Sequence, residues 1–131
     1  MDSQQRFSFS KRMHSFKYAF KGGYSLIRSE HNARIHLVFT FGVVALGWFS
    51  RLTRLEWSMV FVATALVWIS EAFNTAIECL ADEISTSHND RIGKAKDISD
   101  FAVLVSAVSA IGIGITVFVP HILGVNILKL L

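Results

Sequence analysis

Three long apolar runs, each nearly free of charge, dominate the pattern of this chain. Residues 35–50 read IHLVFTFGVVALGWFS and hold no formal charge. Residues 57–69 read WSMVFVATALVWI and continue as SEAFNTAIECLAD. Residues 101–123 read FAVLVSAVSAIGIGITVFVPHIL, again without formal charge. A bilayer core takes about 20 residues of helix, with a range of roughly 17–25. The runs therefore predict an all-α integral membrane protein with transmembrane helices over 32–50, 57–82 and 98–123. The first run is short as written, so its opening turns are placed back at Asn32. Residues 1–131 read as one domain. Composition points the same way: 52% hydrophobic and 18% charged, against about 45–50% and 25% in soluble domains.

The segment ahead of the first run has another period. Over 7–28, apolar Phe9, Met13, Phe16, Phe20 and Tyr24 recur at helical spacing with Lys11, Arg12, Lys17 and Lys21 between them. This predicts an amphipathic helix lying in the membrane interface. A soluble amphipathic helix packed on a partner is the alternative. Gly22 and Gly23 are expected to mark a break in it. The first apolar run starts too late for a secretory leader, and no small-x-small cleavage site follows it. The apolar segments are thus expected to remain in the mature protein.

Charge sets an expected topology. Seven Lys and Arg residues precede the first span and three occupy the second loop (Arg91, Lys94, Lys96). Only Arg51, Arg54 and Lys129 fall on the other side. Basic residues collect on the cytoplasmic side, which places the N-terminus and second loop there and Trp48 and Trp57 near the opposite boundary. The net charge of +3 is concentrated beside the membrane, so it reads as contact with anionic headgroups and not as nucleic-acid binding.

One feature of the second span carries chemistry. Glu71, Asn74, Glu78 and Asp82 stand at offsets 0, 3, 7 and 11. At about 100° per residue all four share a narrow helix face, and at about 1.5 Å per residue the stripe is roughly 16 Å long. A carboxylate inside a membrane span costs a few kcal/mol by insertion scales and marks a functional site by default. The stripe reads as a place where Mg²⁺ meets oxygen ligands beside an apolar substrate. The competing reading is an interhelical hydrogen-bond cluster holding an oligomer together. Glu30, in RSEHNARIH, and Lys94, Lys96 and Asp97, in GKAKD, are expected at the same end. Carboxylates bind Mg²⁺ and lysines bind phosphate. Gly93-Lys94 lacks the upstream glycine and following Ser/Thr of a phosphate-cradling loop, and no soluble-kinase signature is present. A proton-coupled transporter is disfavoured because the charges gather at one boundary.

The remaining features read as packing. Ala102, Ser106, Ala110 and Gly114 put small residues on one face of the third span, where helices approach closely. The single cysteine, Cys79, rules out an intrachain disulfide and a multi-cysteine zinc site. It is expected to be a buried, space-filling thiol.

EAFNTAIECLAD over 71–82, followed fourteen residues after Asp82 by Lys96-Asp97, resembles the E-x-x-N-[ST]-A-I-E-x-x-x-D signature of the prokaryotic diacylglycerol kinase family. HSFKYAFKG (14–22) and the E-x-N-x-R-I-H run over 30–36 resemble its undecaprenol kinase branch. The resemblance covers about residues 9–123. It implies an ATP-dependent lipid kinase of the bacterial inner membrane, a homotrimer with active sites between subunits at the cytoplasmic interface. It further implies that Glu71 is the general base toward the lipid hydroxyl, that Asn74 positions the phosphoryl group, and that Glu30 and Glu78 hold Mg²⁺ on the ATP phosphates. Lys96 and Asp97 would contact ATP, with Tyr18, His88 and Asn89 at matching but less distinctive positions, while Asp82 and Arg34 support the site. The implied substrate is undecaprenol by a modest margin over diacylglycerol.

The chain departs from the family after Lys96-Asp97, where small residues are usual and this sequence has ISDFAVL, with Asp100 and Phe101. That bears on substrate identity more than on reaction type. The kinase reading and the assembly reading separate experimentally. Glu78→Gln is expected to abolish phosphoryl transfer, by at least about 100-fold, while the detergent-solubilised protein keeps its size. A shift in size in Glu78→Gln, together with no binding of Mg-ATP by the protein, favours the assembly reading.

Overall fold

The computed structural model describes residues 9–85, 87 and 89–124. Among these the chain is all-helical: α1 (Phe9–Ser29), α2 (His31–Phe49), α3 (Arg54–Ile84) and α4 (Asp90–Ile122). The last three are long and apolar enough to cross a membrane. At about 1.5 Å per residue, α2 measures about 28 Å, close to a bilayer core of about 30 Å. By the same rise α3 and α4 are about 46 and 50 Å. They form an antiparallel hairpin whose polar turns project past the apolar layer at one end.

Three expectations change here. The Gly22-Gly23 pair does not break α1, which runs unbroken through both. A glycine inside a helix costs about 1 kcal/mol, a penalty the remaining turns absorb. Next, α4 starts at Asp90, eight residues before the expected 98. The Asn89 side chain accepts from the backbone N–H groups of Arg91 and Ile92 at 3.0 and 3.3 Å, and this N-cap starts the helix in polar sequence. GKAKD is therefore the second turn of a helix and not a loop. Cys79 is exposed, not buried, because it lies off the α3 face that meets the other helices. Along the small-residue stripe, Ala102 is exposed and Ser106, Ala110 and Gly114 are only half-buried.

The end of the molecule away from the charged stripe is closed by tight local structure. Thr53 caps α3 in a reciprocal box: its side chain accepts from the Glu56 N–H, and the Glu56 carboxylate accepts from the Thr53 N–H at 2.7 Å. His121, in the last turn of α4, lies 2.8 Å from the other oxygen of Glu56 and ties the two helix ends together. Beneath this lie Leu52, Val60, Val117 and Phe118, with Trp57 packed against them. Trp57, at the start of α3, wedges under Gly47. A Cβ on Gly47 would stand 2.8 Å from the Trp57 ring.

Most of the outward surface is apolar. Phe39, Phe41, Phe61, Phe73, Ile111 and Ile115 are all exposed. A surface of that kind is matched to lipid tails or to other membrane helices and not to water.

Gly47→Ala is expected to destabilise the fold by about 1–3 kcal/mol through overpacking against Trp57. Gly42→Ala, where a Cβ meets nothing within 4 Å, should leave stability unchanged or slightly raised. Thermal unfolding of the two variants in detergent makes the comparison.

Candidate active site at the polar end of the hairpin

Exposure along the stripe on α3 follows its depth. Glu71 is 2% exposed and Asn74 7%, Glu78 is half-buried, and the Asp82 side chain is 72% exposed. One helix face thus carries polar groups from the apolar interior out to the surface. The 3.6-residue period sets the face, and packing against α2 and α4 covers its deeper half.

Three polar contacts tie α3 to α4 along this region. The Ser70 and Ser106 hydroxyls lie 2.6 Å apart. Ser99 lies against the Asn74 side-chain amide and 2.8 Å from the Lys96 carbonyl. A hydroxyl has one proton for two acceptors, so the pair is satisfied when the Asn74 amide turns its NH₂ toward Ser99 and Ser99 donates to Lys96. At the rim, Lys96 donates to Asp82 at 3.0 Å. These contacts fix Asn74 and bring Lys96 over the stripe, though the two residues come from different helices.

The α2 side supplies the remaining groups. Glu30 sits at the N-cap position of α2 but makes no capping hydrogen bond with its side chain, so its carboxylate is not committed to the helix end. Arg34 donates to the carbonyls of Ile27 and Arg28, which locks the sharp turn between α1 and α2 beside Glu30. Nε2 of His36 lies 3.7 Å from Oε2 of Glu71. Trp68 stacks edge-on to the His36 ring at a centroid distance of 6.5 Å. Its indole N–H donates to Thr40 at 3.0 Å, and Thr40 in turn donates to the His36 carbonyl.

Two cavities of about 330 Å³ each meet at His36. The first is an apolar groove running along α2, α3 and α4 past Phe39, Val43, Val67, Ile111 and Phe118. The second is the more polar of the two, with Asn32, His36, Asn74 and Asp100 in its wall beside Val103 and Leu104. A molecule with a long apolar body and a polar tip fits this combination. Among the described residues, no three His, Cys, Asp or Glu side chains converge into a closed metal centre.

The structure therefore gathers Glu71, Asn74, Asp82 and Lys96 on the α3–α4 hairpin, with Glu30 and Arg34 at the α1–α2 turn. Tyr18 is exposed on α1 and Asp97 is exposed on α4. Asn89 uses its side-chain oxygen to cap α4. His88 lies outside the described residues. Sequence reasoning gave no role to Ser99 or His36. Ser99 stands one helical turn after Lys96, a signal hidden while that stretch was read as a loop. His36 closes a motif that was noted without a function.

The sequence model of the family described as Prokaryotic diacylglycerol kinase matches residues 17–118. The chain is 32% identical over 123 residues to a Bacillus subtilis (strain 168) protein named undecaprenol kinase, covering 93% of this chain and 100% of that one. It is 28% identical over 114 residues to a diacylglycerol kinase of Synechocystis sp., covering 86% of this chain and 65% of the relative. A Haemophilus influenzae diacylglycerol kinase is 28% identical over 94 residues, covering 72% of this chain and 80% of the relative.

Ser99→Ala leaves the buried Asn74 amide short of a partner, a loss of about 1–3 kcal/mol. The expected result is a several-fold fall in turnover with the size of the detergent-solubilised protein unchanged, and recovery in Ser99→Thr, which keeps the hydroxyl. Steady-state kinetics of the two variants checks this.

Proposed function

The chain belongs to the prokaryotic diacylglycerol kinase family and is a lipid kinase, and we propose that it transfers the γ-phosphoryl group of ATP to the hydroxyl of undecaprenol. The observation that carries the proposal is Glu71: a buried carboxylate in a helix long and apolar enough to cross a membrane, 3.7 Å from His36, which lines both the polar cavity and the apolar groove. The lipid chain lies in the groove and only its hydroxyl reaches the carboxylate. The full-length match to the Bacillus subtilis relative favours undecaprenol over diacylglycerol.

In the proposed reaction the lipid hydroxyl oxygen forms a bond to the γ-phosphorus as the bond from that phosphorus to the bridging oxygen of ADP breaks. The hydroxyl proton passes to Glu71, giving lipid monophosphate and ADP. Phosphoryl transfer asks a protein mainly for alignment and charge neutralisation. Asn74, held by Ser99, aligns the phosphoryl group. Lys96 stands at the rim, where its ammonium exchanges Asp82 for phosphate oxygens. Asp97, Tyr18, His88 and Asn89 complete the nucleotide contacts in this reading, with Asp82 and Arg34 in support.

Mg²⁺ suits the residues present. It is usually held by one or two carboxylates together with substrate phosphates and water. Glu30 and Glu78, both near enough to act electrostatically on Glu71, are hard oxygen donors of that kind. Bound there with ATP, the ion would neutralise charge on the phosphates.

The proposal includes a homotrimer in the bacterial inner membrane, with α1 on the cytoplasmic surface. The large exposed apolar area of the single chain supports contacts with further copies. The excess of Lys and Arg before α2 and in the first turns of α4 supports a cytoplasmic site.

Purified protein in lipid micelles, given Mg²⁺ and ATP radiolabelled at the γ position, is expected to label undecaprenol at least about tenfold faster than diacylglycerol, a discrimination of roughly 1.4 kcal/mol. Chelation of Mg²⁺ should abolish both. Faster labelling of diacylglycerol reassigns the substrate, and no label from folded protein removes the kinase assignment.

A further inference from the structure

Oε2 of Glu71 is a buried side-chain oxygen with no hydrogen-bond partner among the described residues. Buried polar atoms are nearly always partnered, and an exception calls for an explanation. The charged surroundings sharpen the question. Glu30, Glu78 and Asp100 bring three further carboxylates to bear on Glu71, and His36 acts on it from the basic side. A carboxylate in that company, out of water, needs a donor to hold it in one orientation.

His36 is built to be that donor. Its ring is held edge-on by Trp68, and its backbone carbonyl accepts from Thr40, which itself accepts from the Trp68 indole. Its Nε2 points at the unpartnered oxygen from 3.7 Å. That is longer than a hydrogen bond of about 2.7–3.2 Å, and active-site contacts of this kind commonly tighten once substrate is bound. The ring also stands where the polar cavity meets the apolar groove, so a lipid filling the groove packs on it from the other side.

We propose that His36 is the positioning residue for Glu71. Its Nε2–H holds Oε2 and turns the other carboxylate oxygen toward the lipid hydroxyl. This inference rests on Glu71 being the base. His36 itself does not touch the reacting atoms, and donation from Nε2 requires either the Nε2–H tautomer or the imidazolium.

The test uses the full chain in lipid micelles with Mg-ATP and whichever lipid the wild type phosphorylates. The kcat and both KM values are compared for His36→Ala, His36→Gln and Glu71→Gln, with oligomer size and thermal midpoint recorded for each. In His36→Ala, kcat is expected to fall about tenfold or more, with both KM values within about twofold, the pattern of an interaction made in the transition state. His36→Gln, whose amide N–H can still donate, is expected to recover a substantial part of that loss. Unchanged kcat in His36→Ala, alongside an inactive Glu71→Gln, overturns the positioning role and leaves the base in place. A kcat loss in His36→Ala that Gln does not recover, with lowered size or midpoint, assigns the ring to packing alone and also overturns it. Full activity in Glu71→Gln removes the base assignment, and the inference with it.

Discussion

Enclosing one carboxylate within an apolar layer is the constraint on which the rest of this structure depends. Water cannot reach Glu71, so protein must surround it. The hairpin of α3 and α4 covers one side, and α2 brings His36 and Trp68 to the other. Each helix is simple in itself, and the polar interior exists only where the three meet. The hydrogen bonds between Ser70 and Ser106 and between Asn74 and Ser99 belong to the same arrangement. They satisfy polar groups that lipid could not.

The two ends of the bundle do different work. At one end the capping box of Thr53 and Glu56, the His121 contact and the wedge of Trp57 under Gly47 close the structure with short-range contacts. From His36 at the other end, a groove between α2 and the hairpin runs down to Val60 and Phe118 of the closed end. A phosphotransferase that takes its acceptor from the bilayer needs this division, because the lipid must enter sideways while the nucleotide arrives from water.

No nucleotide-binding fold is needed for such chemistry. Carboxylates for a metal, a lysine for phosphate and a base for the hydroxyl can all be carried on helices. They need only the right register, which the stripe on α3 and the first turns of α4 supply. Asp100, in the wall of the polar cavity, adds a charge where related chains usually have small residues.

Much of this was legible along the chain. Apolar runs of bilayer length marked three helices, and the period of 3.6 put Glu71, Asn74, Glu78 and Asp82 on one face before any contact was known. Both are one-dimensional properties, set by helix geometry and the thickness of a membrane. The start of α4 was not legible, because a helix can continue through polar residues when an N-cap begins it, and a search for uncharged spans stops too late. Nor was the surface position of Cys79, since an apolar neighbourhood in sequence does not say which side of a helix meets its neighbours. The pairing of Asn74 with Ser99, of Lys96 with Asp82 and of His36 with Glu71 depends on how antiparallel helices slide and rotate against one another. Only the tertiary structure decides that, because packing between helices sets their register and no residue carries it alone.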